Sequence, residues 1–179
     1  MMPEFSRPVT LEAARRTSQP IELIANAAER TALAARFDLI AIDRLEATLT
    51  LSTDAAKVHI DGQLRAEVTQ SCVASGEAVP AEAVAPIALI AVPADQLEAA
   101  EADAEVELDG ADLDIIGYDK GSIDLGELVA ESLSLAIDPF PRHPDADSFL
   151  KKRGVLSDDA ITPPAGPFAA LAGLNQPKR

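Results

Sequence analysis

The chain has 179 residues, of which 47% are hydrophobic and 25% charged, a balance that excludes wholesale disorder. This length corresponds to about one domain, and such a chain buries enough apolar surface to fold without a disulfide or a metal. Fifteen Lys and Arg residues stand against thirty Asp and Glu residues, for a formal charge of −15. Because nucleic-acid binders gain affinity by neutralising phosphates with cations, this sign excludes a generic nucleic-acid binder.

The acidic excess is concentrated in the middle of the chain. Residues 61–140 contain 18 acidic and 2 basic side chains, whereas residues 1–60 and 141–179 are close to neutral. This distribution predicts a solvated acidic face that attracts basic proteins, with both ends free to touch other surfaces, although a gain in solubility explains the same excess equally well. Aromatic residues make up only 3%, so platforms for stacking single-stranded bases are scarce.

Cysteine usage and hydropathy indicate a compartment. The single cysteine, Cys72, excludes an internal disulfide and fits a reducing environment. The N-terminus lacks the basic and apolar regions of a signal peptide, and the weakly polar stretch from Val79 to Val92 is too short to span a bilayer. We therefore expect a cytoplasmic protein with no membrane role.

The first half of the chain predicts a short strand, a helix and a hairpin. Glu4 to Val9 is typical of an opening strand or arm, and Asn26 followed by Glu29 is a capping signal for a helix through about Phe37. Two runs of alternating apolar residues then flank a polar turn near Asp54, and they predict an antiparallel hairpin. Their apolar members are Leu45, Ala47, Leu49, Leu51, Val58, Ile60, Leu64, Ala66 and Val68. Gly62 interrupts the second run, which indicates a bulge or a close approach of another chain segment.

The following region predicts a third strand and a short fourth one. Val84 to Val92 is mostly apolar, with Pro86 expected at its start or on a sheet edge. The acidic and alanine-rich stretch Asp95 to Asp112 is typical of a solvated helix or loop. Leu113 and Ile115, before a GYDKG turn, indicate a short strand.

A second helix follows this strand, and a tail follows the helix. Asp124 and Glu127 form another capping signal before apolar residues at helical spacing, and Pro139 should end the helix. Beyond Phe140 the composition turns to Pro, Gly and charge. We therefore predict one α+β domain over residues 1–140, an antiparallel sheet packed by two helices, with an extended tail over residues 141–179.

The tail closes with an apolar turn. Phe168, Leu171 and Leu174 recur every three residues, just before the basic pair Lys178 and Arg179. A single apolar turn after a linker has little reason to exist unless it docks elsewhere, so these three residues are the predicted partner-docking site.

Motifs for catalysis, cofactors and metals are missing from the sequence. It contains no glycine-rich phosphate loop, and neither His59 nor His143 has a nucleophile in its pattern. Cys72 fits a small buried residue at a strand end better than a reactive thiol. With Ser75 at the second position of a C-x-x-C spacing, it has no local partner for zinc. We predict no catalytic residue, no cofactor and no metal site.

Two further basic groups lie outside the acidic middle. They are Arg15 with Arg16, and the triplet Lys151, Lys152 and Arg153. Each is either an ordinary solvated segment or a source of a few salt-sensitive phosphate contacts, which would need support from protein contacts. These five residues are the candidate contacts with RNA.

Four stretches, in this order, resemble one bacterial family. They are EFSRPV, QSCVASGEAV, SIDLGELVAESLSLAIDPFPRHP and GPFAALAGL. The chain resembles the YceD proteins, the large ribosomal RNA subunit accumulation proteins, and its opening stretch resembles their alphaproteobacterial version.

The resemblance implies a role in accumulation or maturation of large-subunit (23S) rRNA, without known catalysis. Many family members have C-x-x-C at the strand end, and some have a further cysteine after the proline loop. Here Cys72 matches the first position, Ser75 occupies the second, and the loop after His143 has no cysteine. This departure puts any metal site of the family in doubt for this chain.

The sequence therefore predicts a non-enzymatic factor that acts on precursors of the large ribosomal subunit. It would contact rRNA directly or through protein, and its partners would include a basic ribosomal protein. The alternative is an acidic chaperone or adaptor for a basic protein that never contacts RNA. A third alternative, an RNA-modifying or RNA-cleaving enzyme, has no supporting residue pattern.

Overall fold

The computed structural model describes residues 4–16, 19–96 and 114–155. Its elements in chain order are β1 (Pro8–Thr10), α1 (Leu11–Arg16), β2 (Ile21–Ile24), α2 (Ala27–Arg36), β3 (Ala41–Asp54), β4 (Lys57–Ser71), β5 (Ala78–Pro93), β6 (Asp114–Tyr118), β7 (Ser122–Asp124), α3 (Leu125–Ala136) and α4 (Ala146–Lys152). The predicted α+β class is confirmed.

The strands form two sheets. The larger has the order β2-β3-β4-β5-β6, and the smaller pairs β1 with β7. All pairs are antiparallel except β5 with β6, which run parallel. Parallel neighbours need a long connection, here the chain between Pro93 and Asp114. No local pattern in the sequence predicts such a pair.

The predicted hairpin is the long pair β3 and β4. Leu51 lies opposite Ile60 and Leu49 opposite Gly62, with the alternating apolar side chains buried on one face. A Cβ atom on Gly62 would lie 2.1 Å from the carbonyl oxygen of Thr48, so this glycine permits a close approach. The register shift of the hairpin lies elsewhere, between Ile42 and Arg44.

Helices α2 and α3 cover the buried face of the sheet. The Asn26 side chain accepts from the N–H of Glu29, whose side chain accepts from the N–H of Asn26, which confirms the predicted capping box. Leu33 of α2 and Leu133 of α3 are fully buried in the same core cluster as Leu49 and Ile60. Burial of such side chains stabilises each by about 1.5–3 kcal/mol.

Pro86 lies within β5 rather than at its start. Strand β5 begins at Ala78, and β6 pairs with it only from Leu89 onward. The Pro86 position therefore has β4 on one side and no described strand on the other, which agrees with the predicted edge placement.

The segment predicted as an extended tail begins differently. Residues 141–155 are described, and they contain α4, whose Ala146 is buried. Residues 156–179 of the predicted tail and residues 97–113 lie outside the described residues. In the described ranges, no helix is long and apolar enough to cross a membrane.

Candidate functional site

Stretches that carry the family resemblance come together in pairs. The first pair joins the N-terminal segment to the start of α3. The Asp124 carboxylate accepts from the backbone N–H of Arg7 at 2.7 Å and from the Ser6 hydroxyl, and it also caps α3 through the N–H groups of Gly126 and Glu127. Burial alone would raise the pKa of Asp124, but these donors outweigh it and hold the pKa below its ordinary value.

This first contact is tight and has a structural role. Phe5 is fully buried, and a Cβ atom on Gly126 would lie 2.3 Å from the Phe5 carbonyl oxygen. Arg7 donates to both oxygens of Glu29, at 2.8 and 3.0 Å, and this hydrogen bond lowers the pKa of Glu29. Arg36 joins the same end of the domain to Glu127 at 2.7 Å. The N-terminal segment thus joins α2, through Glu29, to the start of α3, through Asp124.

The second pair joins the loop after β4 to the proline loop before α4. The backbone N–H of Val73 donates to the Pro141 carbonyl at 3.0 Å, and that of His143 donates to Sγ of Cys72 at 3.3 Å. Gln70 donates through Nε2 to the Asp138 carbonyl at 2.7 Å. The loop and the proline segment therefore form one structural unit at the end of β4.

Cys72 is the most perturbed side chain of this unit. It is only 3% exposed, which agrees with the predicted buried position at a strand end. The His143 N–H and then the Ser75 hydroxyl bond to the sulfur, and they lower the pKa of the thiol to about 6. The thiolate is thus favoured near neutral pH. In the described part of the chain, no three His, Cys, Asp or Glu side chains are grouped so as to hold a metal ion.

The two histidines take no part in a catalytic constellation of the described residues. His143 accepts at Nδ1 from the backbone N–H of Asp145 at 3.2 Å, and Nδ1 lies 3.5 Å from a carboxylate oxygen of Glu77. His59 is half-buried in β4 opposite Ser52. Among residues 4–16, 19–96 and 114–155, no hydroxyl or thiol is hydrogen-bonded to either ring.

The five candidate rRNA contacts lie at opposite ends of the sheet. Arg15 donates to the carbonyl of Ala55, in the turn between β3 and β4, at 2.7 Å. The triplet Lys151 to Arg153 follows the proline loop at the Cys72 end of β4. Since β4 has 15 residues, each rising about 3.3 Å, the two ends are about 45 Å apart. A small ligand cannot reach both groups.

The predicted docking residues Phe168, Leu171 and Leu174 lie outside the described residues. The structure instead shows an exposed aromatic residue that the sequence interpretation did not single out. Phe140 is 72% exposed, beside the Cys72 loop. The sequence signal for this exposure was its position between Pro139 and Pro141, because proline on both sides restricts the backbone conformations that could bury the ring.

A comparison with family models matches residues 60–175 to the family described as "Large ribosomal RNA subunit accumulation protein YceD". The chain belongs to the YceD family. This match covers about two-thirds of the chain and contains three of the four resembling stretches. The remaining stretch, Glu4 to Val9, precedes the match, but its residues Phe5 to Arg7 pack on Asp124 and Gly126 within it. Searches of curated proteins and of solved structures returned no match.

Proposed function

We propose that this YceD-family chain acts in the cytoplasm as a non-enzymatic factor in assembly of the large ribosomal subunit, where it supports accumulation or maturation of the 23S rRNA. Family membership over residues 60–175 carries the proposal. The two basic groups lie toward opposite ends of β4, which is about 45 Å long, and this separation fits a ligand as large as a precursor subunit. Contacts through the ends keep the acidic middle away from phosphate.

The proposed partner contact is the apolar turn of Phe168, Leu171 and Leu174. Deletion of residues 163–179 should abolish co-sedimentation with large-subunit precursors and leave the melting temperature nearly unchanged, because the described core lies upstream. Replacing the three apolar residues by alanine should have the same effect, and exchanging Lys178 and Arg179 for Gln is the matched control. Unaltered co-sedimentation of the deletion variant would remove this contact from the proposal.

A second function, an acidic adaptor for a basic protein, has one supporting feature in the structure. On the outer face of the sheet, Arg44 contacts Glu46 at 2.7 Å and Glu67 at 3.8 Å, and Glu82 lies opposite Glu67. Arg65 lies opposite Glu46 on the same face, so three carboxylates face two guanidiniums, and one negative charge is left for a basic partner.

Crosslinking in cells separates the two functions. Crosslinks to restricted regions of large-subunit rRNA support the assembly factor in contact with RNA. Crosslinks to protein alone, which persist after ribonuclease treatment, support the adaptor. Turnover of rRNA by the purified chain would contradict both.

A further inference from the structure

An exposed apolar surface lies at the Cys72 end of the domain. Phe140 and Val73 are 72% and 57% exposed, and the backbone N–H of Val73 donates to the carbonyl of Pro141, the residue after Phe140. Most large apolar side chains of the described residues are buried or half-buried, so an exposed aromatic ring at a fixed position is unusual for this fold.

The backbone that presents Phe140 is held on both sides. The Phe140 N–H donates to the Asp138 side chain at 2.8 Å, and the Asp138 carbonyl accepts from Gln70 at 2.7 Å. The next residue, Pro141, accepts from Val73 at 3.0 Å. Because the ring is presented by an ordered backbone, binding through it costs little conformational entropy.

Three cations follow this surface along the chain, and none of them has an ion pair in the described structure. Lys151, Lys152 and Arg153 close α4, which is about 10 Å long and begins three residues after His143. By contrast, Arg142 at the start of this segment is paired with Asp147 at 3.0 Å. The Arg153 guanidinium lies 4.5 Å above the ring of Phe149 and adds a second planar group.

We infer that Phe140, with Val73, is a stacking platform for an unpaired base of single-stranded RNA, whose phosphates bind Lys151, Lys152 and Arg153. This inference rests on the proposed function and specifies the form of RNA bound. The cations complement phosphate in a chain of net charge −15, and the ring accepts the face of any base. A duplex offers no free base face, so a single-stranded segment fits this surface better.

The test is a binding titration with the full chain and a labelled 12-nucleotide single strand of mixed sequence, beside a duplex of the same sequence. Phe140→Ala should weaken binding of the single strand about five-fold or more, since stacking contributes about 1–3 kcal/mol per base. Phe140→Trp should bind the single strand as tightly as the unmodified chain. The affinity of Phe140→Ala for the duplex should stay within about two-fold of that of the unmodified chain.

The matched control is Ile115→Ala, which removes an exposed apolar side chain of β6 near the opposite end of the sheet. This variant should bind the single strand like the unmodified chain. Equal affinities of the Phe140→Ala variant and the unmodified chain for the single strand would overturn the inference.

Two further outcomes would also overturn it. One is a preference for the duplex, and the other is a Phe140→Ala variant that loses a protein partner from precursor subunits while its RNA binding is intact. Co-sedimentation of the unmodified chain with precursors tests the proposed function separately. If Phe140 does not bind RNA but the chain still co-sediments, the inference fails and the proposed function stands.

Discussion

The backbone N–H of His143 donates to Sγ of Cys72 at 3.3 Å, across 71 positions of sequence. This bond and the bond from Val73 to Pro141 join the loop between β4 and β5 to the segment that leads into α4. The position and exposure of Phe140 and of the basic triplet therefore depend on the Cys72 loop.

The Cys72 thiol should make the stability of the fold depend on pH. Its pKa falls from an ordinary 9.0 to about 6, so its stabilising contribution is complete above about pH 9 and is lost as the pH falls toward 6. The melting temperature of the unmodified chain minus that of Cys72→Ser should decrease over this interval. Ultraviolet titration of the thiolate gives the midpoint directly, and a midpoint near 9 would contradict the assignment.

Gly126→Ala should destabilise the domain although alanine is the better helix former. The added Cβ would meet the Phe5 carbonyl oxygen at 2.3 Å and displace the N-terminal segment. We expect the free energy of unfolding in urea to fall by about 1–3 kcal/mol. Ser134→Ala, at an exposed position of the same helix, is the control and should change it by less than about 0.5 kcal/mol. A more stable Gly126→Ala variant would show that the segment is free to move.

Asp124→Ala should weaken the same contact by a different route. It removes the cap of α3 and the acceptor for Ser6 and Arg7, at a cost of about 1–2 kcal/mol in unfolding free energy. Because the pKa of Asp124 is lowered in the folded state, the carboxylate stabilises the fold above its ordinary pKa, and this contribution is lost at lower pH. Urea unfolding at neutral and acid pH should show a difference between the two proteins that shrinks with acid. Asp124→Asn, which can still cap the helix, should retain part of the stability.

Lys152→Glu should reduce the salt dependence of single-stranded RNA binding. Removing one phosphate contact lowers the slope of log affinity against log salt by about 0.7. Arg65→Glu, an exposed change of equal charge on the outer face of β4, is the matched control. Titrations at several salt concentrations measure both slopes, and equal slopes for the two variants would place Lys152 outside the contact.

The sequence predicted those strands and helices whose signals lie within a short stretch of the chain. The alternation from Leu45 to Val68 specified which side chains of the hairpin are buried, and the Asn26–Glu29 box and the Asp124 cap marked where two helices begin. These features depend on residues close together in the chain, so one sequence is sufficient to find them.

Features that need distant partners were not predictable in the same way. Strand β2 is only four residues long and is defined by its pairing with β3. Strand β6 runs parallel to β5, an arrangement that a long connection permits but that no local pattern predicts. Helix α4 was missed because Pro and charged residues around it favoured an extended segment. The shifted pKa of Cys72 depends on His143, which no local pattern connects to it.

The contact between Arg7 and Asp124 has a consequence for synthesis of the protein. Strand β1 pairs with β7, and the two are separated by more than a hundred residues. Because the chain emerges from its N-terminus, the bonds from Ser6 and Arg7 to Asp124 cannot form until Asp124 has been translated. This end of the domain is therefore completed late in synthesis, after more than a hundred residues beyond Arg7 have left the ribosome that makes them.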